Sequence, residues 1–354
     1  MTALRTMSEP AQLEQGANPP PLPWRRMAWV TWRQHRTALI AVLAVLGALA
    51  LCLWIVGVKL HHAYAAATAC HPASSAACGA VVANFNAIGN FLSNGVVFLV
   101  LPPLIGAFVG APILAREFEA GTFRYAWTQG FGRWRWTVAK LVALGAAVTA
   151  ATGGLSVLAS WYYQPDFASG RRSPALTTFN PLSPGVFVQR GVDFAAWTLA
   201  AFAIGALAGA LIRRVVPAIV TTLAVGGLLA VATGGWLRMR YLTPLVTRGV
   251  NAPASARIVS QWGSRGGRVL FTGPPTFPIY QQYCPAQAGL GKFGGPTSSG
   301  NPLQCLVQHG FTLWTSYQPA SRFWAFQWIE GGGLLALSVV LIAATVLVVR
   351  RRPA

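Results

Sequence analysis

Six stretches of this chain are apolar, nearly free of charge and long enough to cross a membrane. They cover roughly residues 38–58, 91–114, 138–161, 192–212, 215–236 and 328–349. At about 1.5 Å of rise per residue, a helix of about 21 residues covers about 32 Å, which matches a hydrocarbon core of about 30 Å. Only 10% of the residues are charged and the mean hydropathy is +0.49, whereas about 25% are charged in a soluble domain. The sequence therefore predicts an all-α integral membrane protein with six transmembrane helices.

The arginines indicate the orientation of these helices. They flank every second boundary, at Arg25, Arg26, Arg33 and Arg36, then from Arg116 to Arg135, at Arg213 and Arg214, and from Arg350 to Arg352. Short loops keep their positive charge on the cytoplasmic side, so both termini are predicted to be cytoplasmic. A net charge of +20 does not point to nucleic acid, because the basic residues are divided between two sides of a membrane and form no single stripe.

The organisation along the chain follows from these boundaries. Residues 1–23 are rich in proline and are predicted to be a disordered cytoplasmic tail, and 350–354 a second cytoplasmic tail. Residues 24–36 place aromatic side chains opposite arginines and predict a separate amphipathic helix in the lipid interface, although the same arginines could serve only to set the topology. Residues 37–349 form the six-helix domain, with a cytoplasmic loop at 115–137. The external loop at 237–327, rich in Gly, Pro and Ser, is expected to have little regular structure.

Four of the five cysteines fall in segments predicted to be external. An oxidising compartment favours disulfides, and local spacing suggests Cys70 with Cys78 and Cys284 with Cys305, although four cysteines permit three connectivities. Four free thiols are the alternative. A zinc site that uses nearby histidines lacks a recognised ligand spacing, so we expect no metal.

Several chemistries have no visible residues to carry them out. The chain lacks a phosphate-binding Gly-x-x-x-x-Gly-Lys-Ser/Thr loop, a His-Glu-x-x-His motif and a Gly-x-Ser-x-Gly motif, so we expect no ATP hydrolysis, no catalytic residue and no cofactor in this chain. Asp193 and Glu330 lie within a turn of the predicted outer helix ends. Capping, or a salt bridge to Arg190 or Arg322, explains these two carboxylates better than a proton relay.

The second and fourth apolar stretches contain residues that affect helix packing. Pro102 and Pro103 lie in the middle of the second stretch and predict a kink or an unwound turn, either for movement or as a static kink. Gly205 and Gly209 form a Gly-x-x-x-Gly face in the fourth stretch, which we interpret as helix packing rather than a substrate site.

Three charged and aromatic segments resemble those of a known family. Arg116-Glu117-Phe118-Glu119-Ala120-Gly121-Thr122 is followed by Trp127-Thr128-Gln129, by Arg133-Trp134-Arg135-Trp136 and by Lys140. The first run resembles the Arg-Glu-x-Glu-x-Gly-Thr signature of permease subunits of type-2 ATP-binding-cassette (ABC) exporters. Thr31 to Arg36 and the segment from Tyr317 through Gln327 to Glu330 are similar to the actinobacterial branch of that family. The resemblance covers the whole six-helix layout.

The resemblance implies a plasma-membrane permease that pairs with a second permease subunit and with separate ABC ATPase subunits that bind the ATP. The loop between the second and third helices would couple the permease to the ATPase, through the residues Arg116, Glu117, Glu119, Gly121, Thr122, Arg124 and Arg133. Gly121 would end one short helix in the left-handed conformation, and Thr122 would cap a second over residues 123–129. A solvated loop with internal salt bridges is the alternative for this segment. A membrane-embedded enzyme or sensor with a ligand-binding external cap is the alternative for the whole chain.

Overall fold

The computed structural model contains six helices that are long and apolar enough to cross a membrane, which confirms the predicted fold class. It describes residues 24–71, 75–90, 95–121, 133–169, 180–249, 252–253, 255–273, 276–284 and 302–351. We number the six helices as spans 1 to 6. They are Trp32–Ala69, Val97–Glu119, Trp134–Tyr162, Asp193–Ile212, Val215–Arg240 and Ala320–Arg351. The predicted tail at 1–23 and residues 352–354 lie outside the described residues.

The predicted interfacial helix is not a separate element. Helix α1 runs without interruption over Trp24–Ala69, a length of 46 residues, or about 69 Å. The physical reason is that residues 24–46 contain neither glycine nor proline, so nothing ends the helix where the interface was expected to meet the span. Trp29 and Trp32 are exposed at its start. The 24–36 segment is therefore the first part of a helix that is much longer than the bilayer core is thick.

Exposed tryptophans mark both ends of the helical bundle. Trp29, Trp32 and Trp134 lie where spans 1 and 3 begin, and Trp236, Trp324 and Trp328 lie where span 5 ends and span 6 begins. Tryptophan concentrates at the two membrane–water interfaces. We call the end at which span 1 begins the inner end, which the arginine pattern predicts to be cytoplasmic, and the opposite end the outer end.

Span 2 contains a widened turn. Helix α3 (Val96–Ile105) passes into a π-helical turn at Gly106–Gly110 and then into helix α4 (Ala111–Glu119). Pro102 and Pro103 lie inside α3, so the irregular turn begins three residues after the second proline. A π-helical turn holds one residue more than an α-helical turn. Before span 2, helix α2 (Ala76–Asn90) returns toward span 1, and a Cys70–Cys78 disulfide joins it to the end of α1.

The remaining helices complete the bundle and its outer connections. They are α5 (Arg133–Tyr162), α6 (Gln164–Ser169), α7 (Pro184–Gln189), α8 (Asp193–Ile212), α9 (Val215–Ala232), α10 (Phe277–Tyr283), α11 (Pro302–Gln308) and α12 (Phe323–Arg351). Helix α9 continues through a second π-helical turn at Thr233–Leu237 and a 3₁₀ turn at Arg238–Arg240. Span 4, which is α8, is the most buried of the six spans.

Spans 2 and 4 touch backbone to backbone. A Cβ atom added at Gly205 would overlap the carbonyl oxygen of Gly106, and one added at Gly209 would overlap that of Ala111. Only glycine allows two helices to approach so closely. The packing interpretation of the Gly-x-x-x-Gly face therefore agrees with the structure. The contact fixes the π-helical turn of span 2 against the centre of the bundle.

The 237–327 segment, predicted to be external, was expected to have little regular structure, and this second expectation is wrong. Strands β1 (Leu245–Arg248), β2 (Arg257–Arg265), β3 (Arg268–Thr272) and β4 (Thr312–Gln318) form one antiparallel sheet in the order β1-β4-β2-β3. Residues 312–318 read Thr-Leu-Trp-Thr-Ser-Tyr-Gln, a β-branched and aromatic run that favours a strand. Glycines at the strand ends, among them Gly249, Gly266, Gly267 and Gly273, concealed this signal.

The sheet is tied to the membrane helices and has a small core of its own. Strand β1 follows span 5, strand β4 precedes span 6, and the two pair directly from Leu245↔Tyr317 to Arg248↔Trp314. A Cys284–Cys305 disulfide joins α10 to α11. Around it pack Leu306 and Phe311. We call this unit the cap.

Candidate functional site

The charged segment after span 2 begins as a continuation of the membrane helix. Helix α4 carries Arg116, Glu117 and Glu119 before the chain turns at Gly121, whose φ of +68° is the left-handed conformation expected for it. The segment therefore leaves span 2 as a rigid helix end rather than as a flexible loop. Thr122, Arg124 and the predicted helix at 123–129 lie outside the described residues. Arg133 begins α5, and its side chain is also outside them.

Glu117 makes an ion pair inside the chain. Its Oε1 accepts a hydrogen bond from Nζ of Lys140 in span 3, whose side chain is 1% exposed, while that of Glu117 is 16% exposed. The Lys140 ammonium also lies 3.9 Å from the ring centroid of Trp136, a cation–π contact. Glu117 was predicted to meet charged groups of a partner. The structure turns it inward, because the apolar surroundings of Lys140 leave its ammonium in need of a carboxylate.

Among the described residues of helix α4, Arg116 and Glu119 are the charged residues that are exposed. The Oε2 of Glu119 accepts a hydrogen bond from the backbone N–H of Val215 at 3.1 Å. Val215 begins α9, so this bond joins the end of span 2 to the start of span 5. Nearby, the Arg213 guanidinium lies 6.0 Å from the ring of Phe118. The arrangement presents charge at the inner end and links two spans there.

A cavity of about 780 Å³ opens beside this segment. Three parts of the chain line it: Gln34, His35 and Thr37 of α1, Phe108, Pro112, Arg116 and Glu119 of span 2, and Val215 of span 5. Its wall is polar toward the inner end and apolar toward Phe108. The cavity thus brings the predicted residues Arg116, Glu117 and Glu119 together with the first part of α1. That part of α1 was predicted to be a separate interfacial helix.

A second charged cluster lies at the outer end and connects spans 4, 5 and 6. Arg238 of span 5 donates from Nε to Glu330 Oε2 at 2.9 Å and from Nη2 to Glu330 Oε1 at 2.6 Å. Trp197 Nε1 and the Tyr241 hydroxyl donate to the same carboxylate at 3.1 and 3.2 Å. Four donors from the described residues therefore bond to the Glu330 carboxylate. We call Asp193, Trp197, Arg238, Tyr241 and Glu330 the outer cluster.

The partners of Asp193 and Glu330 differ from those predicted. Arg190 and Arg322 were expected to pair with them, but the guanidinium near both is that of Arg238, which is 4.0 Å from Asp193 Oδ2. Arg190 instead lies over the rings of Phe167 and Phe323, and Arg322 donates to Thr243 and Gln318. The π-helical turn before Arg238 extends span 5 by an irregular turn. Regular helical geometry therefore does not predict where the Arg238 side chain points.

Gln327 fixes the start of span 4 against span 6. Its Oε1 accepts hydrogen bonds from the backbone N–H groups of Val192 and Asp193 at 3.0 and 3.1 Å, and its Nε2 donates to Phe187 O at 2.9 Å. Free N–H groups at a helix start need such an acceptor. Sequence reasoning placed Gln327 in a family-like segment but gave it no role. Its spacing of three residues from Glu330 puts both on one face of α12.

Several titratable groups outside the membrane-spanning segments have shifted pKa values. Burial raises the pKa of Asp166 in α6 to about 7 and lowers that of Arg190 to about 10. Burial, followed by the Glu330 carboxylate, raises the pKa of Tyr241, so its hydroxyl remains a donor at neutral pH. Burial, followed by the neighbouring Arg238, lowers the pKa of Arg257.

One group of possible metal ligands is found among the described residues, formed by Cys284, Cys305 and His309. The two cysteines are joined in a disulfide, so neither sulfur is a thiolate able to bind a metal. Within the residues that the structure describes, His61, His62 and His71 form no group of possible metal ligands with Cys70 and Cys78.

Comparison with known proteins gives one family. A sequence model of the family described as "ABC-2 membrane transporter related" matches residues 42–238. The matched range covers more than half of the chain and runs from span 1 to Arg238. No curated protein and no solved structure matches the chain.

Proposed function

This chain belongs to the ABC-2 membrane transporter related family, and on that premise we propose that it exports a substrate using ATP hydrolysed by a separate ATPase subunit. Family membership and six spans make it a multi-pass transport component of the plasma membrane, a permease. The sequence has no phosphate-binding loop, so we assign the nucleotide to the partner. The export direction and the actinobacterial branch rest on the resemblance of the Arg116–Thr122 and Tyr317–Glu330 segments.

The inner cavity is the observation that carries this proposal. It has a volume of about 780 Å³, and α1, the end of span 2 and the start of span 5 line it. A docked ATPase element would contact three spans at once there. Arg116 and Glu119 supply exposed charges of both signs, which can fix the orientation of a charged partner surface. We assign this cavity and its rim as the ATPase-binding surface.

The path from that surface into the membrane is a rigid one. Helix α4 leads from Glu119 to the π-helical turn at Gly106–Gly110. The turn touches the backbone of span 4 at Gly205, and the start of α4 touches it at Gly209. The ion pair of Glu117 with Lys140 adds span 3 to the same end. A displacement of the inner helix end would therefore reach spans 2, 3 and 4 together. Packed helices transmit such shifts because their contacts are not continuously deformable.

A second permease subunit is part of the same proposal. Spans 1, 5 and 6 bury only 17, 17 and 22% of their most apolar segments within the chain. Exposed side chains of span 5 include Val216, Val220, Leu228 and Val231. Lipid or a second copy would cover them. We propose dimerisation through these spans, with lipid around the remainder.

The first experiment is capture of the partner. The tagged full chain is purified from its native membrane in mild detergent, and the bound proteins are identified by mass spectrometry. We expect an ABC ATPase subunit. If no ATPase subunit is captured and the full chain retains a ligand bound to its cap, the membrane-embedded enzyme or sensor is favoured instead.

The second experiment tests the surface. An Arg116→Ala, Glu119→Gln variant should lose at least tenfold in ATPase binding while the protein remains folded, because exposed charges contribute little to stability. Arg350→Ala is the matched control, since Arg350 is exposed at the inner end of span 6 but does not line the cavity. Equal ATPase binding by the double variant and the control would refute the assignment of the cavity.

A further inference from the structure

The outer cluster contains two acidic side chains and one basic side chain in a buried place. Asp193 is 0% exposed, Glu330 is 3% exposed and Arg238 is 4% exposed. If both carboxyl groups were ionised, the site would hold one uncompensated negative charge. A buried charge without compensation is among the most unfavourable arrangements in a protein.

The two carboxyl groups, those of Glu330 and Asp193, differ in their hydrogen-bond partners. Glu330 receives hydrogen bonds from Arg238, Trp197 and Tyr241. Neither carboxyl oxygen of Asp193 has a hydrogen-bond partner among the described residues, and the nearest guanidinium nitrogen is 4.0 Å away. An ionised carboxylate is stabilised by donors that point at it. The two donor groups near Asp193, those of Trp197 and Arg238, make their hydrogen bonds to Glu330 instead.

We propose that Asp193 binds a proton in this arrangement, and that the outer cluster is a proton-binding site between spans 4, 5 and 6. Arg238 then compensates Glu330 alone, and the site is neutral. On release, the O–H bond of the Asp193 carboxyl group breaks, the electron pair stays on the carboxylate and the proton passes to water. This inference does not depend on the ATPase proposal.

Two charged groups act on Asp193, Glu330 of span 6 and Arg238 of span 5. Tyr241, directly after span 5, is close enough to be influenced by Asp193, and Arg257 of β2 lies near Arg238. A cavity of about 30 Å³ adjoins the outer cluster and is lined in part by Trp197, Thr233 and Arg238. Its volume is sufficient for at least one water molecule. Water there can accept a proton that leaves the cluster.

The proton has a structural consequence for the outer end. Ionised Asp193 in span 4 would repel Glu330 in span 6, with one guanidinium to share between them. Spans 5 and 6 are held together by the paired strands β1 and β4. Repulsion would therefore separate span 4 from the pair of spans 5 and 6, and break the bonds from Gln327 to the start of span 4. Loss of the proton accompanies opening of the outer end.

Infrared spectroscopy of the full chain in lipid nanodiscs at about pH 8 provides the test. The sequence has seven carboxyl side chains, and its two aspartates are Asp166 and Asp193. We expect one carbonyl band of a protonated carboxylic acid. It should shift when the aspartate side-chain carboxyl carbons carry ¹³C, disappear in Asp193→Asn and persist in Asp166→Asn. No acid band, or a band that the aspartate label does not shift, would overturn the proposal.

Hydrogen exchange provides the second measurement. In the wild-type chain, the backbone amides of 192–198 should lose protection relative to Asp193→Asn as the pH rises, because the asparagine cannot ionise. The two proteins are compared at the same pH, which removes the intrinsic pH dependence of exchange. Identical protection of both at every pH would overturn the link between the proton and the outer end. If Asp193→Asn fails to fold, the isotope shift together with persistence of the band in Asp166→Asn still assigns the proton to Asp193, and loss of the band in Asp166→Asn would overturn the proposal.

Discussion

The buried pair of Glu117 and Lys140 leads to a prediction about stability that can be measured without a partner or a substrate. Glu117→Gln keeps the size of the side chain and removes its charge, which leaves the Lys140 ammonium, 1% exposed, without a carboxylate. Removing one partner of a buried ion pair costs about 3 to 5 kcal/mol. This corresponds to a loss of about 10²- to 10⁴-fold in the ratio of folded to unfolded protein.

A double variant should recover most of this loss. Glu117→Leu with Lys140→Met replaces both charges by apolar groups of similar size, and such replacements are often neutral or stabilising. We expect the stability order wild type, approximately equal to the double variant, above Glu117→Gln. Glu119→Gln is the matched control, because Glu119 is exposed and accepts one backbone hydrogen bond, so its change should cost within about 1 kcal/mol.

The assay is the temperature at which half of the detergent-solubilised protein leaves its monodisperse size-exclusion peak. At about 2 to 4 °C per kcal/mol, Glu117→Gln should lose roughly 6 to 20 °C. If Glu117→Gln and the control unfold at the same temperature as the wild type, Glu117 is solvated and does not pair with Lys140. That result would return Glu117 to the surface proposed for the ATPase.

Four further outcomes are expected. Cys284→Ser should destabilise the cap by about 3 kcal/mol without affecting membrane insertion, as seen by limited proteolysis, whereas alkylation of Cys284 in the unreduced wild type would contradict the disulfide. Gly205→Ala should lower the unfolding temperature through overlap with span 2, and Gly154→Ala, which has open space around it, should not. Arg268→Cys in the cap should react with an impermeant thiol reagent on intact cells, and reaction only after permeabilisation would invert the topology. Burial raises the folded-state pKa of Asp166 to about 7. The contribution of its protonated carboxyl group to the free energy of unfolding is therefore complete below about pH 4 and is lost as the pH rises through 7. Asp166→Asn should flatten the fall in unfolding temperature over that pH range.

The sequence predicts the membrane helices well because the signal for each is long and local. Every predicted apolar stretch overlaps one span, and Gly205 and Gly209 have the packing role assigned to them. The cap was missed because its strands are short. Their pairing, such as that of β1 with β4, joins residues about 70 positions apart in the chain.

The charged contacts were predicted less well, and for a different reason. Arg238 was counted only as a residue of the external loop, yet it lies 4% exposed against Glu330. Lys140 was named only as part of the run that resembles the known family, yet it pairs with Glu117. Both contacts join different helices, and their geometry depends on how far each helix is rotated about its axis. A regular period of 3.6 residues does not give that rotation once a helix contains an irregular turn.

The two π-helical turns determine those rotations. The turn at 106–110 precedes Glu117, and the turn at 233–237 directly precedes Arg238. Each turn carries one surplus residue, and one residue corresponds to about 100° around a helix. Deleting a single residue from either turn would leave the chain apolar and helical but would point Glu117 or Arg238 about a quarter of a circle away from its partner. The direction in which Glu117 and Arg238 point around their helix axes is thus set by the number of residues in each turn. A substitution leaves that number unchanged, so it cannot rotate these side chains as a deletion would.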